Sequence, residues 1–248
     1  KMRIAILADV HSNLPALEAV VRNFEARDVD GVWSLGDCIG YGAEPFACMQ
    51  MLTDLDSIII TGNHEEAALD LAKANGFNPA AEEAITWTRN NLSDEALSFI
   101  AELPLGTSPT LGVYLFHGLP GRPESYLRTI EIAEKVFMDL NDDDPRVKLA
   151  FFGHTHRRSV FTQLPGMPVT TIDPEFEVIL AQGRKYLINP GSVGQPRNGD
   201  PRAHYLIYDT KNSSIEFHLV EYDVKKAQSR ILEAGLPPAL AARLSQGI

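Results

Sequence analysis

The sequence predicts an α/β protein with two packed sheets and helices outside them. Three observations carry this. The first sixty residues alternate strand-like and helix-like patterns. Residues 64–103 are rich in Ala and Glu and read as helices. From residue 147 onward, short strand patterns follow one another. A βαβαβ opening calls for a mostly parallel sheet with right-handed crossovers. The later strands call for a second sheet, largely antiparallel.

Each element has its own reason. RIAILADV (3–10) is a continuous apolar run bounded by polar residues, as a buried parallel strand should be. A helix follows, with Asn13 as its N-cap and Pro15 in its first turn. Leu14, Leu17, Val21 and Phe24 recur in it at helical spacing. GVWSLGD (31–37) is the second strand, EPFACMQMLTDL (44–55) a short helix, and SIIITGN (57–63) the third strand. HEEAALDLAKANG, NPAAEEAITWTRNN and SDEALSFIAEL read as three helices, and 65–103 is taken as a helical insertion or cap within one domain spanning 1–248. LGVYLFHG (111–118) returns to strand, TIEIAEKVFMDL (129–140) is a helix, and NDDDP (141–145) a turn. VKLAFFGH, SVFTQL, EVILA, KYLINPG, AHYLIYDT and SIEFHLVEY are strands, and VKKAQSRILEAG and PPALAARLSQ are closing helices. No internal repeat or low-complexity segment stands out.

The bulk numbers narrow the function. The chain has 248 residues, 44% hydrophobic and 22% charged, as expected of a soluble globular protein. Its net charge of −11 opposes tight nucleic-acid binding, which needs cations to neutralise phosphates. Cys38 and Cys48 make neither a disulfide framework nor a C-x-x-C site, which fits a reducing compartment. The longest apolar runs are too short to span a bilayer, and no signal-peptide pattern is present, so a cytoplasmic protein is expected. Met2 is read as the native start and Lys1 as an addition.

Polar residues collect where strands end. Asp9 and His11 follow the first strand, Asp37 ends the second, and Asn63 and His64 end the third. His117 ends LGVYLFHG, and His154 and His156 end VKLAFFGHTH. In open α/β sheets, sites form outside the carboxyl ends of strands. Residues i and i+2 of an extended chain point the same way, so each D-x-H or H-x-H pair is expected to aim at one point. Imidazole with carboxylate suits Zn, Mn, Fe or Ni better than Ca. Asp9, His11, Asp37, Asn63, His117, His154 and His156 are too many ligands for one ion. They fit two ions with one bridging carboxylate, which at about 3.5–4 Å apart serve phosphoryl transfer.

D-x-H, G-D, G-N-H-E, H and G-H-T-H, in this order, resemble the calcineurin-like metallophosphoesterase superfamily. DVHSNLPALEAV and NPGSVGQPR resemble its small bacterial phosphodiesterase branch. The resemblance covers nearly the whole chain. It implies a four-layer α/β/β/α sandwich with two mixed sheets, and a hydrolase that cleaves phosphodiester, phosphomonoester or dinucleoside polyphosphate bonds through a metal-bridging hydroxide. It implies that Asp9, His11, Asp37 and His156 bind one metal and Asp37, Asn63, His117 and His154 the other. His64 would be the catalytic residue, over the leaving group as hydrogen-bond donor or general acid. The cofactors would be two divalent transition metal ions (Mn, Fe, Zn or Ni), and the partner a small phosphoester substrate, without membrane. One departure stands out. Many members carry G-D-x-x-D-R-G, whose second Asp supports the catalytic His. Here the segment is GDCIGYG, with Gly40 in that place and no arginine after it. The loss of part of a phosphatase-type grip favours diesters.

Other residues read more plainly. Arg122 and Arg157 are candidate substrate-binding residues; Arg158, Arg197 and Arg202 also fall in loops near motif ends. His204 and His218 read as core or surface histidines, Trp33 and Trp87 as packing residues, and Asn189 as support for the site loops. Two rival functions stay open: a catalytically idle metal-binding scaffold for other proteins, and a nuclease for short oligonucleotides.

Overall fold

The computed structural model describes residues 2–174 and 176–248. The first half runs β1 (Arg3–Leu7), α1 (Leu14–Glu25), β2 (Gly31–Ser34), α2 (Pro45–Asp54), β3 (Ile58–Ile59), α3 (Asn63–Leu69), a 3₁₀ turn (Leu71–Gly76), α4 (Pro79–Asn90) and α5 (Asp94–Ala101). Then come β4 (Gly106–Thr107), β5 (Val113–Phe116), α6 (Ile130–Asp143), β6 (Leu149–Phe151), β7 (Arg158–Gln163) and β8 (Thr170–Ile172). The chain closes with β9 (Glu177–Ile179), β10 (Lys185–Pro190), β11 (Ala203–Asp209), β12 (Ser214–Val220), α7 (Val224–Glu233) and α8 (Pro238–Leu244).

Among the described residues two six-stranded sheets result, in the orders β3-β2-β1-β11-β12-β9 and β4-β5-β6-β10-β7-β8. Both are mixed. In the first, β3, β2 and β1 are parallel, and β11 adds antiparallel to β1 with Arg3 opposite Asp209. In the second, β5, β6 and β10 are parallel and the outer pairs antiparallel.

Three apolar layers separate four layers of structure. Successive side chains of a strand point to opposite faces, so β1 serves two cores at once. Ala5 and Leu7 pack with Leu17 and Val20 of α1 and Leu52 of α2. Ile4 and Ile6 pack between the sheets with Leu115, Phe151 and Ile188. Beyond the second sheet, Ala150 and Leu187 meet Val136, Phe137 and Leu140 of α6. Each fully buried Leu, Ile or Phe contributes roughly 1.5–3 kcal/mol. A fourth cluster ties α4 to α7 and α8 through Ala81, Ala84, Ile231 and Leu240. Ile100 of α5 joins the α1–α2 core, so the segment 65–103 packs onto the sandwich at both ends.

The structure corrects four expectations. The strands after residue 147 do not make one second sheet: β9, β11 and β12 return to the first, and the second takes in β4 and β5 with a parallel centre. Periodicity tells which faces of a strand are buried but not which strand lies beside it. The run 141–145 is not simply a turn: α6 continues to Asp143 and stops at Asp144, whose extended backbone suits a residue before proline. The helix expected from residue 64 breaks at Asp70, whose side chain accepts from Ala72 N and caps the 3₁₀ turn. Only Ile58 and Ile59 of the third strand enter the ladder. Among the described residues no helix is long and apolar enough to cross a membrane.

Candidate metal centre

The parallel strands β1, β2, β5 and β6 all end at one place, and the loops after them carry the polar residues. These loops are not extended. Asp9, His11, Asp37, His154 and His156 all have positive φ, between 50° and 66°. The expectation that a two-residue spacing on a strand aims each pair is thus corrected: β1 stops at Leu7 and β6 at Phe151, before the ligands. Side chains in this left-handed region are uncommon and cost stability unless surrounding bonds enforce it. Here they do. Asp9 N donates to Gly36 O (3.1 Å), His11 N to Asp37 O (2.9 Å), and Gly153 N to His117 O (2.8 Å). His154 N donates to Asp9 Oδ1 (3.0 Å) and His64 N to Asp37 Oδ1 (2.9 Å).

Two groups of side chains converge. Asp9, His11, Asp37 and His156 form one; Asp37, His117 and His154 form the other; within each, the ligand atoms lie within 4.8 Å of one another. Asp37 belongs to both. Asn63 joins the second, with Oδ1 3.2 Å from His117 Nε2. All seven are buried.

The imidazoles are set for a cation. Nδ1 of His11 faces Ile39 O (3.0 Å), that of His117 Leu35 O (2.7 Å) and that of His156 Gln195 O (2.5 Å). A carbonyl only accepts, so each Nδ1 carries a hydrogen and each Nε2 is turned to the centre. His154 is held the other way, with Nε2 donating to Glu124 O (3.1 Å). His11 Nε2 and His156 Nε2 then stand 3.1 Å apart, lone pair to lone pair. His117 Nε2 meets Asp37 Oδ2 at 3.2 Å as well as Asn63 Oδ1. Asp9 Oδ2 is buried with no hydrogen-bond partner among the described residues. Acceptors facing acceptors in a buried space call for positive charge, and nitrogen with carboxylate oxygen suits divalent transition ions. The donor set fits two.

The protonation equilibria say the same. Burial, joined by repulsion from Asp37, pushes Asp9 up to about 7. Burial opposes charge on His117, yet the neighbouring Asp37 carries it up to about 9. Burial would raise Asp37 too, but the histidines around it hold it well below the usual carboxylate range. Burial drives His154 down to about 3 and lowers His11 and His156 as well.

His64 stands beside the ligands and in neither group. It is 2% exposed and lines a cleft of about 640 Å³ with Asp37, Asn63, His154 and His156. Its ring packs against His11, Tyr41 and Phe77, at centroid distances of 4.6–4.8 Å. Burial lowers it to about 4. Among the described residues nothing hydrogen-bonds to its Nδ1, and a Cβ at Gly40 would lie 2.1 Å from that atom, so the ring occupies the space a side chain there would need.

Two residues do more than the sequence reading assigned them. Glu65, quoted there without a role, accepts from the backbone N–H of Asp37, Cys38, Ile39 and Gly62 at 2.7–3.3 Å. Its place directly after G-N-H was the only signal. Gln195 supplies the carbonyl that sets His156. Asn189 supports the 153–156 loop, donating to Gly153 O and Thr155 Oγ1. Arg122 is exposed, its backbone paired with Leu119, and does not line the 640 Å³ cleft. Arg157 is exposed and lines a neighbouring cleft.

Comparison with known proteins places the chain. The model of the calcineurin-like phosphoesterase superfamily domain matches residues 2–213. Protein MJ0912 of Methanocaldococcus jannaschii is 38% identical over 251 residues, covering 100% of this chain and 99% of that one. A crystal structure of a metallophosphoesterase from Sphaerobacter thermophilus aligns with TM-score 0.85 and 36% identity, over 100% of this chain and 99% of that one. Hypothetical protein PH1004 from Pyrococcus horikoshii shares the fold, with TM-score 0.81, 17% identity and the same coverage. With the ligand-bearing loops at the ends of its parallel strands, the chain belongs to the calcineurin-like phosphoesterase superfamily.

Proposed function

We propose that the protein is a dinuclear metal-dependent hydrolase of small phosphoesters, with diesters favoured over monoesters. The observation that supports it most is the sharing of Asp37 by two buried ligand groups. Asp9, His11, Asp37 and His156 would hold one divalent ion, and Asp37, Asn63, His117 and His154 the other. Such a pair supplies Lewis-acid charge to phosphoryl oxygens and lowers the pKa of water. The chain does the rest. Carbonyls of Ile39, Leu35, Gln195 and Glu124 orient the four imidazoles in advance. Asn63 contributes a neutral oxygen, which limits the negative charge set before an anionic substrate. His64, at the cleft wall, donates a hydrogen bond to the departing oxygen. The preference for diesters is supported by Gly40, which leaves the cleft without the carboxylate and following arginine found in many family members. Manganese, iron, zinc and nickel all suit the donors.

The test is turnover of bis(p-nitrophenyl) phosphate and p-nitrophenyl phosphate with Mn²⁺, Ni²⁺, Zn²⁺, Mg²⁺ or EDTA. Cleavage of the diester that is faster than of the monoester and abolished by EDTA is expected. Cleavage unaffected by EDTA, or of the monoester alone, would sink the proposal.

A further inference from the structure

A second cleft, of about 360 Å³, adjoins the one at the metal residues. Arg128, Arg157, Arg158 and Arg197 line it, with Thr155 and Ser159. Four arginines lining one cleft are unexpected in a chain of net charge −11. Among the described residues, no carboxylate lies within 4.0 Å of Arg128, Arg157 or Arg197. Arg158 differs, since Asp200 and Asp173 stand near it.

The cleft is joined to the metal residues by covalent and packed connections. Thr155 lies between His154 and His156 in sequence. Arg197 lines both clefts, and its backbone N donates to His156 O. Its guanidinium is held by Gln195 Oε1 (2.9 Å) and Tyr41 Oη (3.4 Å), while its Nε is buried with no partner among the described residues. Arg128 lies over the ring of Tyr126, 3.7 Å from its centroid, and that ring stacks on His154 at 3.9 Å. A cleft lined by charge of one sign focuses the field and raises the local concentration of the opposite ion. A guanidinium presents paired donors that match phosphate oxygens, and Arg128 and Arg157, both exposed along this lining, supply two such groups.

We propose that this cleft is a second phosphate subsite, and that the substrate is a phosphoester one of whose arms carries a further phosphate group. The inference rests on the phosphoesterase reading, since it places the scissile phosphate at the metal residues.

Two comparisons test it on the metal-loaded protein. The first is calorimetric binding of thymidine 3′,5′-bisphosphate against thymidine 5′-monophosphate. The second is kcat/KM for the 5′-p-nitrophenyl esters of the same two compounds, which share a scissile bond and differ by one phosphate. The bisphosphate is expected to bind at least tenfold more tightly, and its ester to be cleaved with a correspondingly higher kcat/KM. Both ratios should fall below threefold in the double variant Arg128→Ala, Arg157→Ala, whose two positions are exposed. Equal binding of the two nucleotides by the wild type, or a preference that survives in the double variant, would overturn the subsite. A binding preference with no turnover of either ester would refute the phosphoesterase reading and leave the subsite standing.

Discussion

Replacing Glu65 by glutamine keeps the volume and removes one acceptor. In the native protein, Oε1 accepts from Cys38 N (2.7 Å) and Ile39 N (3.3 Å). Oε2 accepts from Asp37 N and Gly62 N, both at 2.8 Å. Burial and the neighbouring Asp37 push this carboxyl up to about 7, against the four donors that favour the anion. A glutamine has one oxygen. In its better orientation it keeps the two 2.8 Å bonds and turns its NH₂ towards Cys38 and Ile39. Two hydrogen bonds are lost and donors face donors in a site with no exposure. Bonds to a charged acceptor contribute about 1.5–3 kcal/mol each; with one of the two long, the loss is about 2–4 kcal/mol. In a chain of this size each kcal/mol moves Tm by about 2–4 °C, so a fall of roughly 5–15 °C is expected. Thermal unfolding in EDTA is the assay, because bound metal would add its own linkage. Activity with metal restored should also fall at least tenfold, as Asp37 and Gly62 lose their common anchor. A Tm within 2 °C of wild type, with unchanged activity, would show that Glu65 does not tie the loops together.

Other perturbations reach different parts of the site. Gly40→Ala places a Cβ where φ is +87° and 2.1 Å from His64 Nδ1. It should cost about 1–2 kcal/mol in strain and lower kcat/KM at least tenfold by displacing His64, with metal content unchanged; wild-type kinetics would count against the placement of His64. His64→Ala should likewise keep its metals and lose rate, and full activity would remove the assigned role. His204 is wholly buried, and burial lowers it from 6.5 to about 4. The folded chain therefore binds fewer protons there than the unfolded chain, and this contribution to stability is lost as pH falls below about 6.5. Between pH 8 and pH 5 the loss is about 2 kcal/mol. Denaturant titrations at both pH values should show His204→Leu gaining that much on wild type at the lower pH; an equal difference at both would contradict it.

Much of the centre was legible because it sits where apolar runs end. Asp9, Asp37, His117 and the 154–156 pair each follow a strand that must be buried, and burial forces polar neighbours into a shared space. The reason those side chains converge was not legible. They meet through left-handed turns closed by backbone bonds such as His11 N to Asp37 O, and nothing in D-x-H or H-x-H states φ. Glu65 was hidden for a related reason: its partners are backbone N–H groups, which every residue has. The membership of β11 in the first sheet was equally hidden, since its register with β1 depends on contacts some two hundred residues apart. Short edge strands such as Gly106–Thr107 carry no hydrophobic period to detect. Arg128 gave no sign either, because its link to His154 runs through the exposed ring of Tyr126.

The central claim is that one carboxylate joins two metal positions. Metal content per chain, measured by mass spectrometry of the purified protein loaded with Mn²⁺ and freed of excess, tests it most directly when wild type and Asp37→Ala are compared. Two ions in the wild type and loss of both in the variant are expected, because Asp37 stands in both ligand groups. One ion in the wild type, or a variant that keeps both, would contradict it.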